Sequence, residues 1–207
     1  GPGGSADGGA KWDLDTRGLE ILAVHCTADE TAAGATESKG NESQWKEREW
    51  HLGKEEGEGG FMGQKLTVEQ PDRVVRVRYV TSPEGSGLQW LAPELTAGGE
   101  RPYMFTQCQP IHARSLVPLQ DSPRVRFSYT ARVTVAEGLA AVMSAAPGNR
   151  QPGPRPKTVV YAFSMPQPIP AYLLALAVGN LQAKDLGPRS RVYAEPEPLE
   201  AAAWEFA

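Results

Sequence analysis

The chain has 207 residues, a net charge of −4 and 22% charged residues. A mildly acidic balance without a basic stripe argues against nucleic acid as a partner. No apolar run approaches the roughly 20 residues that span a bilayer, so no membrane partner is expected either.

Gly (22) and Pro (18) are abundant beside 40% hydrophobic residues, which favours turns and short strands over long helices. The two cysteines, Cys26 and Cys108, are far apart and lack metal-ligand spacing. A reducing, cytoplasmic setting is the simpler expectation, with a disulfide left open.

Residues 1–11 are small and Gly-rich and read as a flexible leader, with no secretory signal. Lys11 to Cys26 reads as strand, turn, strand, with Gly18 at the turn and Leu19, Ile21 and Ala23 on one face. Residues 27–60 lack periodicity and read as an expanded loop region, with a short strand over Gln44–Leu52. Leu66 and Val68 mark another strand. Arg73–Val80 is a clearer one, with Val75, Val77 and Tyr79 on one face and Arg76 and Arg78 on the other.

A turn follows at Ser82–Gly85, then Leu88–Glu94 and a Gly-rich turn at Gly98–Gly99. The longest alternation sets Val125, Phe127, Tyr129, Ala131, Val133 and Val135 against Arg124, Arg126, Ser128, Thr130, Arg132 and Thr134. It predicts a long antiparallel strand with one wet side. Val142–Ala145 reads as a short strand, Pro147–Lys157 as a loop, and Val159–Met165 as a strand. Pro166–Pro170 reads as a rigid connector, because proline lacks the N–H a ladder needs. Tyr172–Gly179 reads as a strand buried on both faces, and Arg191–Ala194 as a last short strand. Leu199, Ala203 and Phe206 then fall at helical spacing, and the pattern runs to Ala207 without a C-cap, as in a helix cut short.

The stretch Pro102–Arg114 concentrates ligand-capable side chains: Thr106, Gln107, Gln109, His112 and Arg114. No phosphate loop, nucleophile elbow or His-Glu-x-x-His occurs. His25, His51 and His112 have no zinc-site spacing. In a strand, Cys108 and His112 would stand about 13 Å apart, too far for a nucleophile–base pair, so Cys108 reads as a buried structural cysteine. Gln107 and Gln109, two apart in a strand, would share a face. Two readings stay open for them: exposed strand residues, or side-by-side amide oxygens that accept from an ammonium group.

A series of words in this chain points further. These are Leu88–Glu94, Pro102–Arg114, Pro118–Pro123, Ala141–Ala145, Pro168–Leu173, Val178-Gly179 and Gly187–Val192, with Leu14-Asp15-Thr16 near the start. Their order and wording resemble the N-terminal domain of the zinc metalloaminopeptidases of the leukotriene A-4 hydrolase and aminopeptidase B type. The resemblance spans residues 12–207 and is weakest across 27–65.

It implies an all-β fold, a large saddle-like antiparallel sheet domain over 12–195. Residues 196–207 would begin a linker helix towards a catalytic domain absent from this chain. In the family that domain holds a Gly-x-Met-Glu-Asn strand and the His-Glu-x-x-His zinc helix, neither of which occurs here. The first strands before Trp12 also lack counterparts, so the chain reads as a β domain cut at both ends.

By the same resemblance, Gln109 matches the position that helps bind the substrate's free amino group, and Gln107 lines the same pocket. No catalytic residue and no metal ligand carries over. Zinc is expected in the complete enzyme and not in this chain, which alone should be inactive. The complete enzyme would release N-terminal residues from peptides, and hydrolysis of an epoxide is a further activity of the leukotriene A-4 hydrolase type. The alternative is a non-catalytic structural or protein-binding module derived from that domain and docked in a larger assembly, since an open sheet edge needs a partner.

Overall fold

The computed structural model describes residues 10–32 and 44–207. Most of the leader and residues 33–43 of the expected loop lie outside them. The chain divides into two compact units, Gly1–Gly85 with Arg114–Asp121, and Ser86–Ala113 with Ser122–Ala207.

In the first unit, β1 (Lys11–Thr16) pairs antiparallel with β5 (Gln64–Glu69), which also pairs with β4 (Trp50–Leu52). A second sheet sets β2 (Leu19–Thr27) between β3 (Lys46–Glu47) and β6 (Val74–Thr81). Alternation gives each sheet one apolar face. Leu19, Ile21, Val24 and Cys26 of β2 form the buried core with Leu66 and Val68 of β5, flanked by Val75, Val77 and Tyr79.

The expected face of β2 changes parity midway. Its register against β6 slips between Ile21 and Ala23, so Leu22 is an extra residue. This β-bulge turns Val24 into the core and leaves Leu22 outside. The single strand expected over Gln44–Leu52 is instead the two short pieces β3 and β4.

The second unit contains the sheet β10–β13–β8–β7, built from β7 (Leu88–Leu91), β8 (Tyr103–Thr106), β10 (Ala140–Met143) and β13 (Leu176–Gly179). Another sheet sets β12 (Thr158–Pro170) between β11 (Ala146–Pro152) and β9 (Arg126–Ala136). Val135 of β9, Ala141 of β10 and Phe163 of β12 form a buried cluster, packed by Val133, Leu139, Met143, Tyr161 and Leu176. Along β9 each odd-numbered residue from Phe127 to Val135 is covered and each even-numbered one is exposed, as the alternation predicts.

Several expectations in this unit are corrected. The segment read as a loop from Pro147 contains β11, an edge strand exposed along its length. An edge needs only one row of hydrogen bonds, and a slip between Pro147 and Arg150 absorbs the Gly148-Asn149 step. The prolines of 166–170 do not end β12. Between the pairs Met165–Tyr129 and Ile169–Phe127, β12 advances four residues while β9 advances two, and pairing resumes beyond the bulge. The expected strand Tyr172–Gly179 opens as a 3-10 turn at Ala171–Leu173, and only Leu176–Gly179 is strand.

β14 (Gln182–Gly187) was not anticipated, and it forms a hairpin with β15 (Ser190–Ala194). The C-terminal α1 (Leu199–Phe206) packs on this hairpin through Leu199 and Ala203, while Phe206 is exposed. Among the described residues the architecture is all-β and antiparallel, with one short α-helix at the C-terminal end.

Candidate functional site

The stretch Pro102–Arg114 opens as β8, held by β7 on one side through the pairs Leu88–Thr106 to Leu91–Tyr103. On the other side β13 pairs through Phe105–Ala177 and Met104–Val178. Tyr103 and Phe105 stack at 5.7 Å. Burial, with the nearby Glu195 carboxylate, pushes the Tyr103 phenol above its ordinary pKa.

β8 ends at Thr106, whose Oγ1 accepts from the backbone N–H of Leu176 at 2.9 Å. Gln107 and Gln109 therefore do not share a strand face. They lie in the turn that follows, and both are exposed. Within it the Gln109 N–H donates to Gln107 Oε1 at 3.1 Å, and the Gln109–Pro110 peptide is cis. The His112 N–H donates to the Cys108 carbonyl at 2.8 Å. One lone pair of the Gln107 amide oxygen is thus taken by its neighbour. The Gln109 carboxamide has no side-chain hydrogen bond among the described residues.

The strand spacing that separated Cys108 from His112 falls with the same correction, because the chain turns between them. Cys108 is buried, and neither cysteine is in a disulfide. His112 Nδ1 lies 2.9 Å from Ser86 Oγ, a partner that no sequence signal marked.

Arg114, counted among the ligand-capable side chains, is instead a structural group of the first unit. Only 4% exposed, it donates through Nε to Asp121 Oδ2 at 3.2 Å and through Nη2 to the Asp121 carbonyl at 3.1 Å. Nη1 donates to the Met62 carbonyl at 2.5 Å, and Asp15 Oδ2 lies 3.8 Å from Nη2. Its donors are spent inside the fold.

Of the five polar side chains, only Gln107 and Gln109 face solvent without an inward role. They sit inside the part of the chain, residues 14–173, that matches the peptidase M1 N-terminal domain. The chain belongs to this family.

Among curated relatives, leukotriene A-4 hydrolase of Xenopus laevis is 44% identical over 155 residues, covering 71% of this chain and 26% of the relative. Aminopeptidase B of Rattus norvegicus is 48% identical over 123 residues, covering 59% and 18%. The structure of native leukotriene A4 hydrolase from Saccharomyces cerevisiae superposes with a TM-score of 0.74 at 27% identity, covering 99% of this chain and 28% of that one. The chain thus spans about a quarter of the length of the leukotriene A-4 hydrolases it matches.

Among the described residues no group of three or more His, Cys, Asp or Glu side chains stands together to hold an ion. The described residues do not fit a zinc centre. No helix among the described residues is long and apolar enough to cross a membrane.

Proposed function

We propose that this chain is the substrate-side domain of a zinc metalloaminopeptidase that releases N-terminal residues from peptides. Residues 12–195 would form that domain, and 196–207 would lead towards the part of the complete enzyme that carries the zinc. Gln109 accepts a hydrogen bond from the substrate's free amino group, and Gln107 lines the same pocket. An epoxide substrate enters this reading only through the likeness to leukotriene A-4 hydrolase. Two unbridged cysteines support a cytoplasmic setting.

The observation that carries the reading is the exposed, unengaged carboxamide of Gln109, within the segment matched to the M1 family. A neutral amide oxygen suits an ammonium ligand: it accepts a charge-assisted hydrogen bond and brings no second charge to be desolvated. Gln107 Oε1 has already given one lone pair to the turn, so Gln109 is the stronger acceptor of the two.

The test is Gln109→Ala in the complete protein, assayed on an amino-acid 4-nitroanilide. Losing one hydrogen bond to a charged group costs about 1.5–3 kcal/mol, roughly a ten- to hundredfold drop in kcat/KM. The denaturation midpoint should stay in place, because the side chain is exposed. Unchanged kcat/KM with a lowered midpoint would assign Gln109 to the fold instead.

A further inference from the structure

We propose that Ser86 and His112 are positioning residues for Gln109, tying the turn that carries it to the entry of β7. The inference rests on the reading of Gln109 as the contact to a substrate amino group.

Hydrogen bonds that close the turn between β8 and Ala113 on itself include Gln109 N–H to Gln107 Oε1 and His112 N–H to the Cys108 carbonyl. Further bonds fasten it to the residues just before β7. At its near end the Gln107 N–H donates to the Gly87 carbonyl at 3.0 Å, which extends the β7–β8 ladder by one step. At its far end there is no ladder. There the His112 ring meets the Ser86 hydroxyl at 2.9 Å. Ser86 and Gly87 are adjacent, so one short segment grips both ends of the turn.

Gln109 lies between those grips, exposed, and no neighbour among the described residues fixes its carboxamide. Its position in space is therefore set by the backbone of the turn. Releasing the far grip lets the backbone sample more conformations, and the carboxamide must then be ordered when substrate arrives. An amino group is held alike in the ground state and the transition state. The loss therefore appears as weaker uniform binding, a higher KM at an unchanged kcat.

The experiment compares Ser86→Ala, Ser86→Thr, Gln109→Ala and the Ser86→Ala/Gln109→Ala double variant in the complete protein, with alanine 4-nitroanilide as substrate. Loss of one neutral hydrogen bond predicts a KM raised about three- to tenfold in Ser86→Ala. The expectation is that kcat holds, that Ser86→Thr restores KM by returning a hydroxyl, and that the double variant is no worse than Gln109→Ala alone. A KM in Ser86→Ala equal to the parent's, while Gln109→Ala raises it, would overturn the positioning role and leave the aminopeptidase reading standing. An additive double variant would also overturn it, since Ser86 would then act apart from Gln109. A KM unmoved by Gln109→Ala would instead overturn the reading on which the inference rests.

Discussion

Asp121 meets Arg114 at three points. Its carboxylate accepts from the Nε and from the backbone N–H of Arg114, and its own carbonyl accepts from Nη2. Both residues are buried, so each charge depends on the other for what water would have supplied. Removing one partner strands the other, at a cost of about 3–5 kcal/mol. Asp121→Ala and Arg114→Ala should each lower the unfolding free energy by that measure, read from urea denaturation. Arg114→Lys should rescue little, because an ammonium cannot reproduce the planar fork that also reaches the Met62 carbonyl.

Asp15 makes a second, pH-dependent contribution to this cluster. Burial works to raise its pKa. Against that, the Lys65 ammonium at 2.7 Å, the Asp121 N–H at 2.9 Å and the charge of Arg114 together hold it below the ordinary value. The folded state thus favours the ionised form. The stabilisation is fully present above the unfolded value near ~3.9 and is lost as pH falls through the lower folded value. Urea midpoints measured down to pH 2 should fall along an acid limb, and the Asp15→Asn variant should show a shallower one.

Tyr79 acts at the other end of the pH scale. Burial pushes its phenol up to about 12, and its hydroxyl donates to the Leu116 carbonyl at 3.1 Å. The neutral form is the one the fold favours, so its contribution is whole below the unfolded value near ~10 and is lost as pH rises towards about 12. Tyr79→Phe should cost about 1 kcal/mol at neutral pH and should flatten the alkaline loss between those values. A denaturation series at pH 9 to 12 reads both effects.

The bulge in β2 separates two residues that simple alternation would treat alike. Val24 is 0% exposed and Leu22 is 49% exposed. Val24→Ala should cost about 2–3 kcal/mol in thermal or chemical denaturation, through two lost methyl groups and the cavity they leave. Leu22→Ser should be nearly silent. A straight strand that buried Leu19 and Ile21 would leave Leu22 and Val24 exposed alike, and both substitutions would then be nearly silent.

How far the sequence reveals the fold depends on the range of the forces involved. β9 is legible because its period of two is a local property, and one wet face stamps Arg, Ser and Thr onto alternate positions. β11 and the proline end of β12 are hidden, because a bulge and an edge are properties of the partner strand, and nothing in Pro147 or Pro166 announces the partner. The same holds at the site. Gln107 and Gln109 are marked by resemblance. That they lie in a turn depends on β8 stopping at Thr106, where a side chain takes over a backbone bond to Leu176. Arg114 looks like a ligand-binding residue in its own stretch. Its buried role needs Asp15, Met62 and Asp121, which only folding brings to it.

The short segment Arg114–Asp121 belongs to the first compact unit, while the chain on either side of it belongs to the second. It is fastened there by backbone bonds between Asp15 and Leu119 and between the Arg17 N–H and the Arg114 carbonyl. A fragment ending at Gly85 would therefore keep both sheets of its unit yet leave Asp15 without the guanidinium and the amide it was built around. No single scission yields two intact halves. A dissected first unit should behave as a complementation system, with a synthetic peptide of residues 114–121 supplied in trans as the missing piece.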